Sequence, residues 1–126
     1  YRAMLLTNPN DPGALLQIAI LYAQNGLYDQ AFREFDKLLA TDPRSAEAHN
    51  NRGNIYYTLA DYERAFEAYA YAEELDPADG GIKLNLALTH YQRGRLKEAV
   101  EKYREAVALN KVLAGQYQAF EKLLLK

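Results

Sequence analysis

Apolar residues recur along this chain three and four positions apart, the spacing of one face of an α-helix. The pattern is interrupted at Gly26, at Leu59-Ala60-Asp61 and at Gly94, and it is stopped at Pro43 and Pro77. Asp11-Pro12 opens the first complete helix, with the aspartate as N-cap and the proline at the first helical position. That helix should run to about Asn25, with Gly26 ending it in a left-handed conformation. Its partner is predicted from about Tyr28 to Thr41. Ser45 can cap a third helix carrying Gly53 and Tyr56, and Asp61 a fourth that ends before Pro77. The fifth starts weakly, because Asp79 is followed by Gly80-Gly81, two poor helix formers. The sixth spans about Leu96 to Leu109, where Lys97–Glu101 and Glu98–Lys102 stand at the i,i+4 spacing of a solvated face.

The interruptions keep a period of 34 residues. Small residues fall in columns: Ala19, Gly53 and Ala87 on the first helix of each pair, Ala31, Ala65 and Ala99 on the second. An aromatic column runs Tyr1, Phe35, Tyr69, Tyr103, and a terminating column runs Pro9, Pro43, Pro77 before failing at Lys111. A period of this length dictates an array of stacked units. Small residues are expected where paired helices approach closely, and the aromatic column should fill the groove to the next unit. One helix pair cannot stand alone, since backbone ordering costs ~1–2 kcal/mol per residue against ~1.5–3 kcal/mol for each large side chain buried.

These residues resemble the tetratricopeptide repeat family. In the central unit the matching residues are Gly53, Tyr56, Ala65, Tyr69 and Pro77, with His49 in place of the usual Trp and Arg52 in place of the usual Leu. Ile18, Ala19, Tyr22, Ala31, Phe35 and Pro43 match in the preceding unit, and Leu86, Ala87, Ala99, Tyr103 and Ala106 in the following one. The resemblance implies an all-α fold, a tetratricopeptide-repeat α-solenoid in which antiparallel helix pairs wind into a right-handed superhelix and first helices line a concave groove. Residues 12–45, 46–79 and 80–113 make three full repeats. Residues 1–11 read as the tail of a preceding repeat whose first helix is missing, so the chain is expected to be part of a longer array. Residues 114–126 read as a capping helix: Tyr117, Phe120 and Leu124 keep first-helix spacing, but Glu121 occupies the small-residue column, over which a further helix could not pack tightly.

By the same resemblance, the groove is where function is expected. The first unit offers Leu16, Gln17, Ile20 and Gln24, and the second Asn50, Asn51, Asn54 and Tyr57. The third offers Leu84, Asn85, Leu88 and Tyr91. Apolar patches at two ends flank amides, with no cation among them. Chaperone-binding members of the family hold a C-terminal carboxylate pair with lysine, asparagine and arginine from three groove helices. The corresponding places here hold Leu16, Ile20, Asn51, Gly81 and Asn85, or, one unit later, Asn50, Asn54, Asn85, Gly115 and Ala119. Neither register supplies a cation, and desolvating a carboxylate without one is costly. A carboxylate clamp is therefore not expected.

Composition narrows the chemistry. The chain has 126 residues, one domain's worth, with 49% hydrophobic and 25% charged residues, an ordinary globular balance. No apolar run approaches the ~18 residues of a membrane span. With no cysteine there are no disulfides, thiolate metal sites or thiol nucleophiles; that absence suits a reducing cytosol slightly better than a periplasm, and leaves the compartment open. Ser45 is the only serine, at a capping place, and His49 and His90 lie in different columns without matching ligands. No catalytic constellation, cofactor motif or metal set emerges, so a non-enzymatic module binding a partner's peptide segment is the expectation. The alternatives are a self-assembling scaffold and the substrate-recruiting domain of a larger enzyme. Net charge differs sharply between units, −6 over residues 46–79 and +4 over residues 80–113. This is either solvated outer faces or an attraction between neighbouring copies. Nucleic acid is not an expected partner, because the basic residues are interleaved with Glu98, Glu101 and Glu105. Weak self-association is expected through the N-terminal edge, where Met4, Leu5 or Leu6 would lie uncovered.

Overall fold

A computed structural model describes residues 11–124. The N-terminal edge expected to carry self-association, and the tail repeat at 1–10, lie outside the described residues. Eight helices and no strand occur among them: α1 (Pro12–Gln24), α2 (Tyr28–Thr41), α3 (Ala46–Thr58), α4 (Tyr62–Leu75), α5 (Gly80–Gln92), α6 (Leu96–Leu109), α7 (Val112–Gln116) and α8 (Gln118–Leu124). The first six form three helix pairs, α1 with α2, α3 with α4 and α5 with α6, stacked in chain order as an all-α solenoid.

Local chemistry explains each boundary. Asp11, Ser45 and Asp79 share one column and cap the three first helices. Asp11 Oδ2 accepts from the Ala14 amide at 2.8 Å, Ser45 Oγ from Ala48 at 3.2 Å, and Asp79 Oδ1 from Gly81 and Ile82 at 2.8 and 3.3 Å. The double bond at Asp79 is what starts α5 despite its two glycines. Gly80 has a further reason: a Cβ there would sit 3.1 Å from the Ala106 carbonyl oxygen, so the first residue of α5 lies against the end of α6. Within the pairs the turns place Gly26, Ala60 and Gly94 at positive φ. Ala60, at φ 60°, does so with a Cβ.

Three clusters make the core, and two of them join a second helix to the next unit. Phe35 and Leu38 of α2 pack with Ala48 and Ile55 of α3; Tyr69 and Ala72 of α4 pack with Ile82 and Leu86 of α5. The third surrounds Tyr103 and is closed by Leu113, Phe120 and Leu124. Where one capping helix is expected, two short ones occur, with Tyr117 out of helical conformation between them. Gly115, which costs a helix interior about 1 kcal/mol relative to alanine, stands just before the break. Lys111, in place of proline, does not let α6 continue: the chain bends at Asn110, whose Oδ1 accepts from the Val112 amide at 3.2 Å.

The small-residue column at Gly53 has a different cause from the one expected. A Cβ there would meet Tyr69 Cε1 at 2.6 Å, so a ring within the same unit, rather than a neighbouring backbone, excludes it. The solvated pairs expected on α6 do not form either. Lys102 reaches instead to Glu73 of the preceding unit, at 2.8 Å.

Candidate functional site

Two clefts open side by side along the first helices. The first, about 270 Å³, lies between units one and two and is lined by Ile20, Ala23, Tyr28, Asn51, Asn54 and Ile55 among others. The second, about 240 Å³, lies between units two and three and is lined by Asn54, Tyr57, Thr58, Tyr69, Asn85 and Leu88. Asn54 and Thr58 belong to both, which makes the two clefts one continuous trough. No charged side chain lines either.

The asparagines expected to face the groove are each hydrogen-bonded within the chain. Tyr69 Oη donates to Asn54 Oδ1 at 2.6 Å, and Asn85 Nδ2 donates to Asn50 Oδ1 at 2.9 Å, joining units two and three. Gln92 Nε2 donates to Tyr57 Oη at 3.2 Å, a second link between these units, and Asn51 Nδ2 donates to the Glu47 carbonyl at 2.8 Å. Burial, with a smaller contribution from Tyr57, pushes the Tyr69 phenol well above its ordinary value, so it remains a donor throughout the physiological range.

Ile20, Gln24, Asn51, Asn54, Tyr57, Asn85 and Leu88 all line the trough. Leu16 and Gln17 are half-buried, Leu16 against the first core cluster. Leu84 is a correction. At 3% exposure it belongs to the core with Tyr103, Leu113 and Phe120, because the C-terminal cap covers it. Tyr91 is drawn toward the same cap, its ring edge-on to Phe120 at 5.6 Å between centroids. The apolar patch expected at the third unit is thus largely taken up internally. Tyr28, Ala23, Thr58 and Tyr69 line the trough without having been expected there. Tyr28 and Thr58 stand beside the turns within each pair, and nothing in their columns distinguishes a groove residue from a turn residue.

Elsewhere His49, His90 and Arg52 are held by packing and contacts within the chain, although Arg52 Nε and His90 Nδ1 are buried without a hydrogen-bond partner. His49 Nε2 lies 3.3 Å from the Pro43 carbonyl oxygen, with the ring edge-on to Tyr71. Burial holds His49 below the ordinary histidine value. His90 is buried against Phe66, over which Arg93 also stacks at 4.8 Å; burial first and the Arg93 cation second lower its pKa. Arg52 leans over Phe32 of α2 and reaches Asp36 at 3.9 Å. Among the described residues no group of three or more acidic or histidine side chains could hold a metal ion.

The profile of the tetratricopeptide repeat family matches residues 16–80 and 56–112. The chain belongs to this family. Family membership makes it a protein–protein interaction module. Human tetratricopeptide repeat protein 13 is 30% identical over 104 residues, covering 82% of this chain and 12% of that protein. The probable UDP-N-acetylglucosamine–peptide N-acetylglucosaminyltransferase SPINDLY of Arabidopsis thaliana is 31% identical over 102 residues, covering 81% of this chain and 11% of that protein. The chain therefore spans only about a tenth of these relatives' length. Among solved structures, the first tetratricopeptide domain of Spaghetti (RPAP3), bound to the HSP90 peptide SRMEEVD, superposes with a TM-score of 0.79 at 19% identity, covering 91% of this chain and 94% of that one. This last likeness is one of fold.

Proposed function

We propose that the tetratricopeptide array binds an uncharged, partly apolar segment of a partner protein in the trough formed by α1, α3 and α5. The observation that carries this is the composition of the trough: carboxamides, aromatic rings and aliphatic side chains, without a charged group, over two clefts that share Asn54 and Thr58. Carboxamides donate and accept alike, so they suit a peptide backbone without selecting a charge. Ile20 and Leu88 offer apolar seats on either side of them. An acidic terminus such as that of SRMEEVD finds no cation at the corresponding places in either register, which hold Leu16, Ile20, Asn51, Gly81 and Asn85 or, one unit later, Asn50, Asn54, Asn85, Gly115 and Ala119.

The test is capture of a partner by the full-length protein, with the trough altered at two exposed or half-exposed places. Asn54→Ala and Ile20→Glu should each abolish capture while the helical circular dichroism spectrum is retained. Capture should survive a rise from roughly 0.05 to 0.5 M salt, since no charge pair is needed. Binding that persists in both variants would place the partner on the outer helices.

Stacking of separate copies through opposite charge is the weaker reading. Part of the charge that would drive it is engaged inside the chain, where Glu63 pairs with Arg93 at 2.9 Å and Glu73 with Lys83 and Lys102. A role as the recruiting arm of a larger enzyme is compatible with the trough, and the likeness to SPINDLY supports testing it in the full reading frame.

A further inference from the structure

We infer that Asn25 is a modification site: in the turn between α1 and α2 its carboxamide is converted to a carboxylate through attack by Gly26, at a rate set by opening of that turn, and the product leaves the turn less able to close. The inference does not depend on what the trough binds.

Asn25 is the only asparagine of the chain followed by glycine, and both residues are exposed. Glycine leaves the attacking main-chain nitrogen without a side chain beside it to obstruct approach. That nitrogen, once base has taken its proton, attacks Asn25 Cγ. The N–Cγ bond forms, the Cγ–Nδ2 bond breaks, and Nδ2 leaves as ammonia with a proton from solvent, which gives a five-membered succinimide. Water then opens the ring. Breaking the bond to Cγ gives aspartate in an unchanged main chain. Breaking the bond to the former peptide carbonyl gives isoaspartate, whose main chain runs through Cβ and is one carbon longer.

The closed turn withholds each part of this reaction. At ψ 10° the Gly26 nitrogen nearly eclipses the Asn25 main-chain nitrogen, whereas ring closure needs it to eclipse Cβ. The Gly26 N–H donates to the Ala23 carbonyl at 3.1 Å, and Asn25 Nδ2 donates to the Leu21 carbonyl at 2.8 Å, which holds the carboxamide back along α1. The Leu27 N–H closes the turn on the Tyr22 carbonyl at 2.9 Å. Reaction therefore waits until these bonds open. Afterwards a carboxylate at this place has no proton to give the Leu21 carbonyl, and its charge opposes the negative end of the α1 dipole. Isoaspartate also sets Leu27 one atom further from Tyr22 along the chain. Gln24 and Tyr28, which line the first cleft, flank the turn, so the change falls at the edge of the trough.

The other turns lack the device. Leu59 precedes Ala60 and Arg93 precedes Gly94, and neither has a carboxamide. Gly26, at φ 74°, is the residue that lets α1 end, and it is the same residue that lays Asn25 open to attack. Asp79-Gly80 could form the same ring by loss of water, but Asp79 is occupied as the cap of α5, accepting from Gly81 and Ile82, and Gly80 is buried.

The test is incubation of the protein at mildly alkaline pH, folded and in concentrated guanidinium chloride, with peptide mapping for aspartate and isoaspartate at residue 25. In denaturant Asn25 should convert ahead of every other asparagine. In the folded protein its conversion should be slower by about ten- to a hundredfold, and that factor should match, within about threefold, the hydrogen-exchange protection of the Leu27 amide. Asn25→Asp reproduces one product; it should keep the helical spectrum and lower the Leu27 protection about three- to tenfold. Equal rates with and without denaturant, or slowing far beyond the Leu27 protection, would overturn gating by the turn. Unchanged Leu27 protection in Asn25→Asp would remove the effect on closure. If another asparagine converts before Asn25 in the unfolded chain, the site itself is refuted.

Discussion

The junction between units one and two and the junction between units two and three are built from the same columns and held in different ways. At the first, Phe35 and Leu38 bury themselves against Ala48 and Ile55, and the ion pair across it, Arg52 with Asp36, is 3.9 Å long with its carboxylate exposed. At the second, Tyr69, Ile82 and Leu86 make a similar apolar seam, to which is added a four-membered charge network. Lys83, 8% exposed, donates to Glu73 at 2.9 Å and to Glu105 at 3.2 Å, while Lys102 donates to both oxygens of Glu73. Glu63 and Arg93 add a bidentate pair, and Asn50–Asn85 a neutral bond. Repeat symmetry therefore sets the geometry of the seams, while the residues outside the repeat signature set their electrostatics. The first junction depends mainly on packing; the second is also tunable by pH and salt.

The sharpest way to break this contrast is to remove Glu73. Glu73→Ala leaves Lys83 buried with a single, half-exposed partner and should cost about 2–3 kcal/mol, read from the urea midpoint, toward the lower end for a buried pair because the partners are partly solvated. The pH dependence follows from the same groups. Burial alone would raise Glu73, but its bonds to Lys102 and Lys83 outweigh this and hold it below the ordinary 4.5. Its contribution is present above that value and is lost as pH falls through the depressed one. Burial alone would lower Lys83, yet its bonds to Glu73 and Glu105 leave it above the ordinary 10.5. Its contribution is present below that value and is lost as pH rises through the raised one. Hydrogen exchange should show the second junction loosening at both extremes while the first is unchanged.

Next in size is Gly53→Ala. Its Cβ meets a rigid ring at 2.6 Å, so overpacking of about 1–3 kcal/mol is expected, with loss of the Tyr69–Asn54 bond visible in the Asn54 amide signals. Ala65→Leu, at a residue with no exposure in the seam of unit two, should fall in the same range. An unaltered denaturation midpoint for Ala65→Leu would mean that α3 and α4 do not close on that residue. Ala60→Gly relieves a non-glycine left-handed turn and should raise stability by roughly 0.5–1 kcal/mol, equalising the three turns. The smallest effect belongs to the first junction. Asp36→Ala should change stability by less than about 0.5 kcal/mol, and a loss comparable to that of Glu73→Ala would abolish the distinction between the two seams.

The helices and their limits were legible in the residues. The caps at Asp11, Ser45 and Asp79, the breaks at Gly26, Ala60 and Gly94, and the stops before Pro43 and Pro77 all act within a few residues of where they stand. The 34-residue period then determines which faces stack, because each unit must bury what its neighbour repeats. Three things required the tertiary structure. Lys102 chose Glu73, from 29 positions away, over the nearby Glu98, because a partner across a half-buried seam is screened less than one on a solvated face. Leu84 kept a groove column but was covered by a cap whose shape depends on a break at Tyr117 that no repeat dictates. The polarity of Asn54 was decided by a hydroxyl 15 residues distant, reaching it past a glycine that leaves the ring room. Short-range chemistry is written in neighbouring letters, whereas charge partners, cover and hydrogen-bond direction depend on distances that exist only once the units have stacked.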